Sequence, residues 1–269
     1  STPPTCNMPS LIAIIPARAG SKRVPDKNIL PLAGHPVIAY TIAAAAQSGI
    51  FSAVVVSTDS EKYAEVARHY GAEIPFLRPV EMAGDISPDI EWVEHTLKQL
   101  RNAGREYDCF SILRPTSPFR SPETIRRAWG EFLAEEGVDS LRAVEKCKQH
   151  PGKMWVLRGR RMTPLLPLGP ADLPWHSTQY QALPEVYVQN ASLEIAWTRV
   201  VFEGRTISGQ VLMPFLTQGY EGFDVNQPYD WRLAEELVQT GQAKLPEVIL
   251  PAYSFSGNVA PLRPVQGAA

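Results

Sequence analysis

Cysteine is scarce in this chain. There are three, Cys6, Cys109 and Cys147, spread far apart over 269 residues. An odd, scattered set without paired spacing argues against a disulfide framework or a cysteine-built zinc site, and it fits reduced thiols in a cytoplasmic protein. Cys109 lies in an apolar run and reads as a small core residue. A charge excess of either sign is also missing. Lysine and arginine number 26 against 28 acidic residues, for a net charge of −2, so no global basic field points to nucleic acid or an anionic membrane. Local clusters of cations are therefore read as sites for small anions. No apolar run approaches the roughly 20 residues of a membrane span, and the first residues lack a basic-then-apolar signal pattern. Several motifs are absent too. Gly20-Ser21-Lys22 reverses the order of a Walker phosphate loop and lacks its upstream glycine. No G-x-G-x-x-G follows the first apolar run, which removes support for a nicotinamide site, and there is no G-x-S-x-G elbow or H-E-x-x-H zinc motif.

What is present suffices for a core: 44% of residues are hydrophobic and 20% charged, a globular composition. The chain is organised around residues 11–28, LIAIIPARAGSKRVPDKN. Its first five residues form a continuous apolar run, as expected of a strand buried on both faces. Pro16 ends ladder pairing, and Arg18, Lys22, Arg23 and Lys27 then place four cations within ten residues around Gly20 and Ser21. A glycine lets the backbone approach an oxyanion, amide groups can point at it, and the cations neutralise its charge. A loop of this kind at the carboxyl edge of an open α/β sheet is a candidate phosphate site.

Further on, strands and helices alternate. A turn is expected at residues 31–35, and a helix from Pro36 to Gly49. A strand at 52–57 precedes a helix at 61–70 that the Ser57-Thr58-Asp59-Ser60 side chains can cap. A short strand is expected at 73–77, and a helix from Ser87-Pro88, read as cap and first position, to about 103. A strand follows at 107–113, then a helix opened by Ser121-Pro122 to about 136, and a strand at 138–144. The alternation implies right-handed crossovers and a mostly parallel sheet between two helix layers, without giving the strand order. Prolines then recur from Pro151 to Pro184, and residues 145–185 read as an insertion of loops and short strands that needs a packing partner, with a second subunit favoured. Strands are expected again at 186–188, 192–197 and 211–216, with a last helix from about Pro228 to Thr240. Residues 1–10 and 251–269 read as loose tails around a domain at 11–250. Asp224 and Asn226, two apart, would face the same way in an extended segment. They could ligate Mg²⁺ beside a phosphate loop, or could merely cap the helix that follows.

Together these segments carry a resemblance. Residues 15–23, with Pro25 and Lys27-Asn28, resemble the first signature of the acylneuraminate cytidylyltransferase (CMP-sialic acid synthetase) family. Ser57-Thr58-Asp59, Leu77-Arg78-Pro79 with Asp85, and Arg114-Pro115-Thr116-Ser117-Pro118-Phe119-Arg120 resemble its next blocks. Leu183-Pro184-Glu185-Val186-Tyr187 with Asn190, and the Asp224 segment, resemble the later ones, over about residues 11–240 in order. The resemblance implies a Rossmann-like fold and transfer of CMP from CTP to the anomeric hydroxyl of a nonulosonic sugar acid, releasing pyrophosphate. It implies Arg18, Lys22, Lys27 and Asp224 as catalytic residues. Ala17, Arg18, Ser21, Lys22, Asn28, Arg78 and Ser87 would bind the nucleotide. Arg114, Thr116, Ser117, Asn190, Tyr180 and Lys153 would line the sugar side, and Asp224 with Asn226 would hold Mg²⁺. It also implies a homodimer in which the proline-rich insertion brings Lys153 to the partner's site. Another sugar acid or nucleoside triphosphate, or a nucleotide-binding protein without catalysis, stay open as alternatives. Three departures stand out. Asn226 replaces a second aspartate, Arg114 stands where glutamine is common, and Tyr180-Gln181 and Asn190-Ala191 replace Arg-Gln and Asn-Gly.

Overall fold

Leucine, alanine and isoleucine on both faces of one strand force a three-layer architecture, and the computed structural model, which describes residues 7–255, shows it. Strand β1 (Leu11–Pro16) is buried from Leu11 to Ile15. Its odd-numbered residues Leu11, Ala13 and Ile15 pack into one apolar cluster, and Ile12 and Ile14 into another on the opposite face. A two-residue hairpin, β2 (Pro31–Leu32) with β3 (His35–Pro36), follows the cationic loop. Helix α1 (Val37–Ser48) then ends at Gly49, whose φ of 70° is the left-handed conformation a glycine stop supplies. Strand β4 (Ala53–Ser57) leads to α2 (Glu61–His69), where the Ser60 hydroxyl accepts the Tyr63 amide hydrogen as the sequence anticipates.

The remaining elements are α3 (Asp89–Asn102), β5 (Cys109–Ile112), α4 (Pro122–Ala134), β6 (Ser140–Lys146), the hairpin β7 (Trp155–Arg158) and β8 (Arg161–Pro164), β9 (Tyr187–Trp197), α5 (Arg199–Gly204), β10 (Leu212–Leu216) and α6 (Pro228–Gln239). The sheet order is β10-β6-β9-β5-β1-β4. Parallel β1 and β4 bring Pro16 opposite Ser57, while parallel β1 and β5 bring Ile14 opposite Ile112. The first strand thus sits between its successors, so the connections diverge at its carboxyl end and open a crevice between β1 and β5. Residues of α1, α2 and α4 cover one face, and those of α3 and α5 the other. A third cluster joins α6, through Trp231, Ala234 and Leu237, to Val24, Leu32, Val37 and Phe119.

Several expectations need correction. The strand at 73–77 is a single bridge, Val55 to Glu73, because Pro75 has no amide hydrogen with which to extend a ladder. Ser87 does not cap α3. Pro88 takes that position, and the Ser87 hydroxyl instead accepts the Gly84 amide at 3.0 Å and donates to the Glu81 carbonyl at 3.3 Å. The two short strands at 186–197 are one eleven-residue strand, β9, antiparallel to β5. In contrast, Ser121 and Thr124 form the capping box that opens α4, with Pro122 in the first turn. Of the expected tails, Ser10 pairs with Asp108, and residues 251–255 pack onto α2, where the Tyr253 amide donates to the Tyr70 hydroxyl at 3.0 Å. The rest of both tails, residues 1–6 and 256–269, lies outside the described residues.

The chain divides into two units, one formed by Ser1–Ala143 with Asn190–Ala269 and the other by Val144–Gln189. The second unit overlaps the proline-rich stretch. It contains the β7–β8 hairpin and three short 3₁₀ turns, with His150 at its centre. His150 Nδ1 accepts the Gly152 amide at 2.9 Å and Nε2 donates to the Pro184 carbonyl at 2.8 Å, while Trp175 and Tyr180 meet the ring edge-on. Among the described residues no helix is long and apolar enough to cross a membrane.

Candidate active site

The loop after β1 is pinned from several directions. The Ala17 amide continues the sheet by donating to the Ser57 carbonyl at 2.9 Å, so Ala17 is spent on structure and its side chain is fully buried. The Ala19 amide donates to Asp59 at 2.8 Å, and Asn28 Nδ2 donates to the Arg18 carbonyl at 3.2 Å. Asp26 accepts the Tyr63 hydroxyl at 2.7 Å and the Lys62 ammonium at 3.2 Å, which ties the far end of the loop to α2. Gly20 has φ +80° with open space where a Cβ would stand, a conformation any L side chain would strain.

This loop forms one wall of a cleft of about 310 Å³ whose lining includes Arg18, Ser21, Lys27, Asn28, Arg78, Ser87, Arg114, Thr116, Asp224 and Asn226. Ten of the sequence-nominated residues thus converge on one crevice at the carboxyl end of β1 and β5. Lys22 stands at its mouth, 82% exposed, with its ammonium 2.5 Å from Asp85, and Arg18 meets the other oxygen of the same carboxylate at 3.1 Å. Ser117 is buried and does not line the cleft. Asn190 bridges the Thr217 hydroxyl and the Ser192 amide, and its neighbour Ala191 is the residue that reaches the cleft. Lys153 and Tyr180 belong to the second unit. There the Lys153 ammonium donates to the His176 and Thr178 carbonyls, and the Tyr180 hydroxyl to those of Cys147 and Lys148.

The floor carries fixed charge. Arg78 is buried, donates to the Ser57 hydroxyl and carbonyl at 3.0 Å each, and lies 5.0 Å above the Trp92 ring. Burial lowers its pKa to about 10, opposed by the charges of Asp59 and Asp89, so it remains a cation at neutral pH. Arg114 donates to Asp89 at 2.7 Å and lies 3.5 Å from Glu194. Burial works against its charge, yet the two carboxylates more than compensate and raise its pKa. Arg120 is completely buried and, among the described residues, has no carboxylate within ion-pair distance. It donates to the Ser192 carbonyl, the Thr41 hydroxyl at 2.9 Å and the Arg114 carbonyl at 3.1 Å, tying β9, α1 and the β5 exit together. Burial lowers its pKa to about 9, with the charge of Asp224 opposing that shift. Sequence reasoning assigned no role to Asp89, Trp92, Arg120 or Glu194. Asp89 and Trp92 share the first turn of a helix, three residues apart, and the Trp92 indole donates to Asp89 at 2.9 Å, but only the fold brings them to Arg114.

Asp224 and Asn226 do face the same space. Asn226 donates its amide hydrogens to Asp224 Oδ2 and accepts the Lys27 ammonium on Oδ1 at 3.2 Å. The helix start is handled by others, since Gln227 and Asp230 form the box that opens α6. Lys27 is half-buried. Desolvation pushes its pKa down and the charge of Asp224 pushes back, while Arg18 and Arg23 add to the lowering. Among the described residues no group of three or more His, Cys, Asp or Glu side chains could hold a metal ion. One hard donor does stand ready, because Asp224 Oδ1 is buried with no hydrogen-bond partner among the described residues. A single carboxylate fits Mg²⁺, which takes most of its octahedron from water and substrate phosphate.

A parallel-stranded crevice with a cationic loop on one side and the Asp224 carboxylate on the other defines the class, an α/β protein with a nucleotide-type cleft at the switch point of its sheet. Residues 12–150 match the family model described as Cytidylyltransferase. The chain is 37% identical over 242 residues to a CMP-N,N'-diacetyllegionaminic acid synthase of Legionella pneumophila, covering 87% of this chain and 99% of that one. It is 32% identical over 229 residues to an N-acylneuraminate cytidylyltransferase of Escherichia coli, covering 85% of this chain and 52% of the relative. A CMP:2-keto-3-deoxy-manno-octonic acid synthetase solved with CTP superposes with a TM-score of 0.59 at 15% identity, covering 86% of this chain and 99% of that one, a likeness of fold. The chain belongs to the cytidylyltransferase family.

Proposed function

We propose that this enzyme transfers CMP from CTP to the anomeric hydroxyl of a nonulosonic acid of the sialic, legionaminic or pseudaminic type. The observation that carries the reading is the convergence of the loop cations and Asp224 on one cleft, in a chain matched along 99% of a CMP-legionaminic acid synthase. In the reaction the sugar hydroxyl oxygen bonds to the α-phosphorus and gives up its proton to solvent, the bond from that phosphorus to the α,β-bridging oxygen breaks, and pyrophosphate leaves. Arg18, Ser21, Lys22 and Lys27 hold the triphosphate, and the cations stabilise charge on the departing pyrophosphate. Asn28, Arg78 and Ser87 hold the cytidine end. Thr116 and Arg114 form the sugar-side wall. Asp224, with the Asn226 amide beside it, would hold Mg²⁺, which when bound supplies Lewis-acid polarisation at the α-phosphate. The chain's own contribution is then chiefly alignment of oxygen, phosphorus and leaving group.

The second unit, in this reading, serves a homodimer in which Lys153 reaches the partner's sugar. This part rests on the family resemblance, and light scattering should return twice the chain mass. The decisive experiment incubates the protein with CTP, Mg²⁺ and a panel of 2-keto-3-deoxy sugar acids while pyrophosphate is followed. Release with a nonulosonic acid is expected. Tight CTP binding with no release for any acid would sink the reading.

A further inference from the structure

The two cations at the mouth of the cleft already hold an anion, and it is part of the chain. Asp85 places one carboxylate oxygen 3.1 Å from Arg18 and the other 2.5 Å from Lys22. It stands at the tip of a short closed turn. Val80–Met82 form a 3₁₀ turn, and the Ser87 hydroxyl closes the segment by bonding both the Gly84 amide and the Glu81 carbonyl. A Cβ at Gly84 would stand 3.1 Å from the Ser87 oxygen, so the turn is tight where it meets its own clasp. Asp85 itself is partly exposed and its carboxyl is held below the usual range, first by the Lys22 hydrogen bond.

We propose that Asp85 is an internal counter-anion that a polyphosphate must displace to reach Arg18 and Lys22. The inference rests on the nucleotide reading of this cleft. A ligand bearing a di- or triphosphate replaces one carboxylate with several oxyanions and meets both cations. A ligand without phosphate leaves the Asp85 pairs in place. Asp85 therefore weakens every polyphosphate by the same exchange cost and leaves the nucleoside end untouched. That cost also helps pyrophosphate leave, because the carboxylate returns to the cations as the product departs.

The test is calorimetric titration of the full chain and its Asp85→Asn variant with CTP, inorganic pyrophosphate and cytidine in metal-free buffer. The variant should bind CTP and pyrophosphate about two- to five-fold more tightly, the scale of exposed ion pairs, with cytidine unchanged. The gain should shrink as salt is raised, because these charges are screened. Asp85→Ser should give the same sign. Equal or weaker binding of CTP and pyrophosphate by both variants, or a cytidine gain as large as that of CTP, overturns the proposal alone. Failure of the unmodified chain to bind either CTP or pyrophosphate overturns the nucleotide reading and this inference with it.

Discussion

The mouth and the floor of the cleft are built from the same residue types and behave differently. At the mouth, Lys22 is 82% exposed and shares a single partly exposed carboxylate with Arg18. On the floor, Arg114 is half-buried between Asp89 and Glu194, while Arg78, clamped to Ser57, and Arg120, which donates to three protein acceptors, are buried. Exposed pairs gain little and exchange partners at small cost. Buried charges must be compensated in advance, and removing one partner strands the other. The mouth is thus suited to exchanging its anion for a ligand, while the floor keeps its geometry whether or not a ligand is present. Lys27 joins the two, because it lies on the mouth loop and bonds Asn226 on the floor.

Substitutions can break this contrast, and the largest effect is expected where floor meets chemistry. Asp224→Ala should reduce kcat by about a thousand-fold, the scale of losing one group that stabilises transition-state charge, with an unchanged far-UV spectrum. Near-normal turnover would remove Asp224 from the reaction. Next comes Arg120→Ala, which deletes three hydrogen bonds and leaves a buried cavity. A loss of about 3 kcal/mol is expected from urea unfolding, and a loss under half that would show that the floor does not depend on its buried cation.

Asp89 supplies a pH test. Burial alone would raise its pKa, but Arg114 outweighs this, helped by the Trp92 indole, and the net shift is downward. Its folded pKa is therefore below its unfolded value near 4. The associated stability is complete above that value and is lost as pH falls through the folded pKa. Thermal melts between about pH 5 and pH 2 should show that slope flattened in Asp89→Asn, and an identical slope would mean that the pair adds nothing. A milder change is Asn226→Asp, which adds a carboxylate beside Asp224. If position 226 ligates the ion, Mg²⁺ should bind several-fold more tightly, since ligand charge tunes affinity for hard cations. An unaltered titration would assign Asn226 to holding Lys27. The smallest effect belongs to the mouth, where Lys22→Ala should leave the unfolding free energy within about 0.5 kcal/mol of the parent. A drop as large as that of Arg120→Ala would erase the distinction between mouth and floor.

Much of the local structure was legible. Ser60 and Ser121 cap the helices they precede, Gly49 ends α1, and the isoleucine-rich run is the doubly buried β1. The misses have separate causes. Ser87-Pro88 has the look of a cap, but the Ser87 hydroxyl is taken by its own turn. The apolar stretch at 73–77 looks like a strand, but Pro75 leaves one bridge. Ala17 and Ser117 sit inside motif blocks as parts of the framework rather than of the cleft. The Ala17 amide was claimed by a tertiary partner, the Ser57 carbonyl, whereas Ser87 was decided by its own turn, Pro75 by its missing amide hydrogen and Ser117 by burial.

By itself, the sequence determined the class of fold, the cationic loop after β1 and the family, because these rest on local periodicity, cation spacing and ordered motifs. Only the tertiary structure decided that β1 lies between β5 and β4, that β9 runs antiparallel beside β5, and that Glu194 therefore arrives opposite Ile112, within reach of Arg114. It also paired Lys27 with Asn226 across 199 positions and set Asp85 against Arg18 and Lys22. The physical reason is that charge compensation in a cleft depends on distance in space. Strand order sets that distance, and no local pattern in the chain encodes strand order.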